Sequence, residues 1–244
     1  MARFKTINSI CNQVAVEVGL QRVQDVFEAT DVAFDQLTTL ANACGIELLQ
    51  DEKWEGLVRE FAFTTQMGDT GKYALPDDFA YMINQTGWDR TNNVALGGPL
   101  SAQQWEYLVG RDLVSQTIYA SFRERENMLW LFPQPPPTGL DISFEYISRN
   151  WVLVNGQAGE YNDHTEQAGD VVLYEPFLFE RLLKARFLEA RGFDSTVAVE
   201  QLNRAFNSWS GKDKGAPVLN AGRRYTGIPY LDTFYSTPDT GFGG

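Results

Sequence analysis

"YEPFLFERLLKARFLEARGFDSTVAVEQLNRAFNSWS", residues 174–210, is the stretch on which the rest of the chain is read. Phe179, Leu183, Phe187 and Ala190 recur at the spacing that lines up side chains along one side of a helix, and Ala198, Leu202, Ala205 and Trp209 repeat the pattern further on. Gly192 and Asp194 interrupt it, so the segment predicts two helices folded back as a hairpin. Two amphipathic helices cannot cover their own apolar stripes, so others must pack against them.

The partners stand at the opposite end of the chain. In "FKTINSICNQVAVEVG", residues 4–19, Ile7, Ile10, Cys11, Val14 and Val18 form a helical stripe, and Gly19 stands where a left-handed cap closes a helix. Thr30 or Asp31 can cap a second helix, whose Phe34, Leu37, Ala41, Cys44 and Leu48 form another stripe ending near Gln50.

Between these helical ends the period changes. "LVREFAFTTQ", "KYALP", "SQTIYASFRER", "NMLWLFP" and "LDISFEYISRNW" concentrate or alternate aromatic and β-branched residues between Gly/Pro breaks, the signature of strands. Within this region "LPDDFAYM" predicts a short helix with Pro76 in its first turn, and "PLSAQQWEYLVG" predicts another, capped by Ser101 and closed by Gly110. The fold class is therefore α+β. N- and C-terminal helices form a bundle, a β-rich lobe is inserted, and the C-terminal arm is extended. The expected divisions are 1–56 for the first helices, 57–150 for the lobe, 151–173 for an acidic polar loop, 174–210 for the hairpin and 211–244 for the arm.

Composition narrows the function classes. With 43% apolar and 13% aromatic residues in 244, the chain can bury a substantial core, as one large domain or two small ones. No run reaches the roughly 20 apolar residues of a membrane span, and the first twenty residues lack the apolar block of a secretory signal, so the chain is read as made in the cytoplasm. Net charge is −12, and residues 1–210 carry −13 because the arm is slightly basic. Such a body should not grip nucleic acid, whose binding rests on Lys and Arg meeting phosphate. It can still surround DNA that must pass without sticking.

Sites for chemistry are hard to find. Cys11 and Cys44 fall on apolar helix stripes and are read as small hydrophobes, and with His164 as the single histidine no metal or cofactor site is predicted. "GDTGKY", residues 68–73, lacks the spacing of a phosphate loop and reads as a tight hairpin turn. Asp77 with Asp78, and Glu124 with Glu126, are read as surface or capping acids, no catalytic residue is assigned, and His164 is read as a solvated loop residue. "PQPPPTG", residues 133–139, reads as a stiff β-connection. In "GWDRTNN", residues 87–93, Arg90 is expected to pair with Asp89 or another carboxylate at a structural corner. From Trp151 to Glu180 there are six acidic residues and no Lys or Arg, which predicts an exposed acidic surface.

"FAFTTQ", then "KYALPDDFAYMINQTGWDRTNNVALGGPLSAQQW", then "LWLFPQPPPTGLDISFEYISRNW", followed by the helical pair, resembles the head-to-tail adaptor (connector) proteins of tailed bacteriophages over residues 5–210. The Tyr-x-Leu-Pro-x-Asp-Phe element at 73–79, Trp-Asp-Arg-Thr-Asn at 88–92 and Gly-Pro-Leu-Ser at 98–101 carry the resemblance through their order. It implies a structural protein of the virion, forming a ring, usually a dodecamer, beneath the portal protein at the DNA exit. Tail, nozzle or fibre proteins would bind its other side, and genomic DNA would pass through without specific binding. A tail-tube or neck protein, and a tail-associated carbohydrate hydrolase, are the competing expectations.

The arm completes the reading. "GRRYTGIPYLDTFYSTPDTGFGG", residues 222–244, is too apolar for a spacer and too rich in Gly and Pro for a helix. Tyr225, Ile228, Tyr230, Leu231, Phe234, Tyr235 and Phe242 are expected to dock on the portal or on a neighbouring subunit, with Arg223 and Arg224 meeting acidic groups there.

Overall fold

The computed structural model describes residues 3–51, 53–110 and 120–213, which lie in one unit, Met1–Asp213. In chain order the elements are β1 (Lys5–Thr6), α1 (Ile7–Glu17), α2 (Val32–Asp51), β2 (Val58–Thr64), β3 (Lys72–Ala74), β4 (Phe79–Met82), β5 (Trp88–Asp89), β6 (Val94–Ala95) and α3 (Ala102–Gly110). There follow β7 (Ser121–Arg125), β8 (Met128–Phe132), β9 (Asp141–Ser148), β10 (Val152–Leu153), β11 (Tyr161–Asn162), β12 (Val171–Val172), α4 (Pro176–Ala190) and α5 (Thr196–Asp213). The chain is an α+β protein, as its periodicities predict.

The helix ends follow from local chemistry. The Thr6 hydroxyl accepts from the Ser9 N–H at the start of α1, and Gly19 takes the left-handed φ of +86° just past its end. The Asp31 carboxylate accepts from the Ala33 N–H at 2.9 Å to open α2. Asn8 and Asn12 on α1 strap down the connecting segment: Asn12 accepts from the Val23 N–H and donates to the Val23 carbonyl, while Asn8 does the same for Val26 and Gln24. Ser101 and Gln104 exchange reciprocal bonds, a capping box that starts α3.

α4 packs against α1, α2 and α5. Leu178, Phe179, Leu182, Leu183, Ala185 and Phe187 are all buried, so α4 is apolar over more of its circumference than the single stripe read from the sequence. Its N-terminal side joins an aromatic stack in which the rings of Trp151, Tyr174 and Phe179 lie about parallel and Trp54 meets Tyr174 edge-on at 5.5 Å.

Three antiparallel sheets complete the fold. One runs β1-β12-β10-β11 and joins the chain's start to residues 152–172. In the second, β2 pairs along its whole length with β9, from Val58↔Ile147 to Thr64↔Asp141, while β4 and β5 share the other side of β9 and β6 adds to β5. The third runs β3-β8-β7. The buried side chains form two clusters. One joins α1, α2 and α4 to Trp54, Leu57, Ile147 and Trp151; the other fills the sheets with Leu75, Phe122, Leu129, Leu131, Ile142 and Phe144.

Two local expectations are corrected. "LPDDFAYM" is not a helix: the Pro76 carbonyl accepts from the Phe79 N–H to close a turn, and Phe79–Met82 then pairs with the side of β9 that β2 leaves open. "GDTGKY" is not a hairpin, because β2 and β3 belong to different sheets. It is a crossing between them, with Gly68 and Gly71 at φ +91° and +79°, and the Asp69 carboxylate accepting from the Gln66 N–H and the Tyr73 hydroxyl.

Candidate interaction surfaces

The acidic segment after Trp151 is held in place from beneath. The Asp170 carboxylate, 2% exposed, accepts from the N–H groups of Asn155, Glu166 and Gln167 at 3.1, 2.8 and 3.0 Å. On the opposite side, buried Thr165 donates its N–H and hydroxyl to the Asn42 side chain of α2 at 2.8 and 2.9 Å. The expected exposed acidic surface is therefore smaller than the count of six acids suggests: Asp170 is internal, and Glu180 is buried and receives the Lys5 ammonium at 2.8 Å. Composition counts carboxylates but does not say which ones the backbone recruits.

Glu160 and Glu166 are exposed, and Asp163 partly so. His164 is not simply solvated. Its Nδ1 lies 2.7 Å from Asp163 and its Nε2 2.7 Å from Glu166, and these hydrogen bonds raise its pKa above the usual imidazole value. Asp163 is lowered in turn, chiefly by the same bond. Beside it lies a polar hollow of about 470 Å³, lined by Asp77, Asp78, Arg149, Asn150, Tyr161 and Asp163. Asp78 accepts from the Tyr146 hydroxyl at 2.9 Å and the Ser148 hydroxyl at 2.6 Å, while Asp77 faces solvent. Arg149 stands 3.8 Å from Asp163.

The other acids read from the sequence also have structural employment. Glu126 pairs with the adjacent Arg125 at 3.0 Å. Asp89 is buried and accepts from the N–H groups of Thr91 and Asn92 and from the Asn92 amide. Arg90 does not pair with it but donates to the Ser143 hydroxyl at 2.9 Å, because the turn's own N–H groups already occupy Asp89. The corner is structural, as read.

A second surface lies on the β3-β8-β7 sheet. Its inner face buries Phe122, Leu129 and Leu131. On the other face, register places Lys72, Trp130 and Arg123 side by side in one row across the three strands. The Lys72 ammonium stands 4.1 Å and the Arg125 guanidinium 4.9 Å from the centre of the Trp130 ring, which Trp105 of α3 meets edge-on at 6.1 Å. Elsewhere, Phe177, Phe193 and Val197 expose more than half of their surface around the two ends of α4.

Arg223, Arg224, Tyr225, Ile228, Tyr230, Leu231, Phe234, Tyr235 and Phe242 lie outside the described residues. The Lys72, Trp130 and Arg123 row was missed in the sequence. Its members are 58 and 7 positions apart, and only strand register brings them together. Among the described residues no helix is long and apolar enough to cross a membrane, and no group of three His, Cys, Asp or Glu is placed to hold a metal ion. A family model described as SU10 adaptor protein matches residues 6–227. No curated protein matches the chain.

Proposed function

Because the chain belongs to the SU10 adaptor protein family, we propose that it forms the ring joining a bacteriophage portal to the tail or nozzle and gives the genome a conduit between them. The observation that carries this reading is the extent of the match, residues 6–227, which takes in every element from α1 to α5 and continues beyond them. In this reading the copies, twelve in number, contact the portal on one side and tail, nozzle or fibre proteins on the other. A closed ring needs each copy to show two unlike surfaces to its neighbours. A net charge of −12 suits a conduit that repels DNA phosphate instead of holding it.

The arm is the proposed attachment. Its aromatic residues and Arg223 and Arg224 dock on the portal or on a neighbouring copy. Electron microscopy of the purified full chain, with and without its cognate portal, tests the reading. Rings seated on the portal are the expected result, and a chain that neither assembles nor binds portal overturns it. Removing residues 222–244 should leave the thermal unfolding of the body unchanged while weakening attachment; undiminished attachment removes the arm from the mechanism.

A further inference from the structure

The chain is acidic overall, yet Lys72, Arg123 and Arg125 gather around one tryptophan. Arg125 is neutralised by Glu126, whereas Lys72 and Arg123 have no carboxylate partner among the described residues. The hollow beside residues 155–169 has the opposite imbalance. Asp77, Asp78 and Asp163 line it beside Arg149, and Glu160 and Glu166 stand exposed on the same loop; His164 and Arg149 engage Asp163 and Glu166, which leaves Asp77 and Glu160 without an ion-pair partner among the described residues. No ion pair or hydrogen bond among the described residues joins the row to the hollow, so Lys72 and Arg123 on one side and Asp77 and Glu160 on the other keep their charge within the subunit.

We propose that the Lys72, Trp130 and Arg123 row of one copy seats against the Asp77 and Glu160 surface of the next copy, the two forming the unlike halves of the contact repeated around the ring. The inference rests on the ring reading above. Every copy carries both halves, as a head-to-tail contact requires. The Lys72 ammonium lies over the Trp130 ring, which shields one side of it from water and strengthens its attraction to an incoming carboxylate. Tyr161, 40% exposed with the Arg59 guanidinium 4.6 Å from its centre, supplies an aromatic surface at the acidic side. A DNA strand is the poorer occupant. Phosphate binding needs cations that track the backbone, and this row is short, with the neighbouring Arg125 already paired to Glu126.

The test uses the full chain assembled on its portal, with sedimentation and electron microscopy as readouts. Lys72→Glu with Arg123→Glu is expected to weaken association between copies by about tenfold or more, and Asp77→Lys with Glu160→Lys to do the same. Combining all four restores the reversed pairs and should return association to within about threefold of the parent. Thermal unfolding that matches the parent shows that each variant folds. If rings form normally in both single-surface variants, or if the combination fails to rescue them, the pairing is overturned while the ring reading stands. Intact rings with altered DNA retention assign the row to phosphate and also overturn it. A parent chain that never self-associates removes both readings.

Discussion

The Tyr174 hydroxyl donates to the Gly45 carbonyl at 2.8 Å, joining the entry of α4 to the middle of α2 across 129 positions. Gly45 is there because nothing larger fits: a Cβ on it would overlap the Trp151 ring, which is fully buried and stacked on Tyr174. Neither the ring nor the helix backbone can yield freely. Gly45→Ala should therefore destabilise the protein by about 1–3 kcal/mol, despite alanine's better helix propensity. Tyr174→Phe should cost about 0.5–1.5 kcal/mol through the lost hydrogen bond. Urea unfolding followed by tryptophan fluorescence measures both.

Asp170 holds three backbone N–H groups that no other of the described residues is placed to satisfy. Removing its carboxylate strands them beside a buried site, at about 1–3 kcal/mol for each group left unpaired. Asp170→Ala should lower stability and speed amide hydrogen exchange at Asn155, Glu166 and Gln167 before it affects α1 or α4. Uniform acceleration across the body would mean that the loop is not an independently anchored unit.

Much of the helical scaffold is legible because its punctuation is local. Gly19, Asp31, Ser101 and Gly192 act within three residues of themselves, and each stands at a helix end. The misread places depend on distant strands. Pro76 suits a first helical turn or a β-turn equally, and the open side of β9, some 65 positions later, decides between them. The cationic row is invisible for the same reason, since Lys72 and Trp130 become neighbours only through the register of β3 on β8. Acid count misleads where burial intervenes, as at Asp170 and Glu180.

Cys11 and Cys44 are unpaired and buried on α1 and α2, and burial pushes each thiol up to about 12. With so little thiolate at neutral pH, both should resist Ellman's reagent in the folded protein. Both should react together on global unfolding, because their helices share one core. Reaction of one thiol at low denaturant would show α1 or α2 opening alone.

Glu17 ties α1 to α4, with Arg181 at 2.8 Å and Lys184 at 2.9 Å. Burial pushes its carboxyl upward, but hydrogen bonds from Lys184 and Gln13 and the charge of Arg181 outweigh that and hold it below the usual range. A depressed carboxylate contributes stability above its unfolded pKa, about 4.3, and loses it as pH falls through the folded value. The stability gap between the parent and Glu17→Gln should thus be widest near neutrality, begin to narrow as pH falls below the unfolded value of about 4.3, and vanish below the folded one.

His164 has the opposite sign. Its hydrogen bonds to Asp163 and Glu166 raise the imidazole pKa, so its contribution is fully present below the unfolded value of about 6.5 and fades as pH rises through the folded one. The side chain is 45% exposed, so solvent screening keeps the whole effect under about 1 kcal/mol. His164→Asn should then be less stable than the parent near pH 6, with the difference narrowing at alkaline pH and at high salt. Titration of the histidine by proton NMR gives the folded pKa directly. A value at or below that of a free imidazole would mean that the two carboxylates do not hold the charged ring.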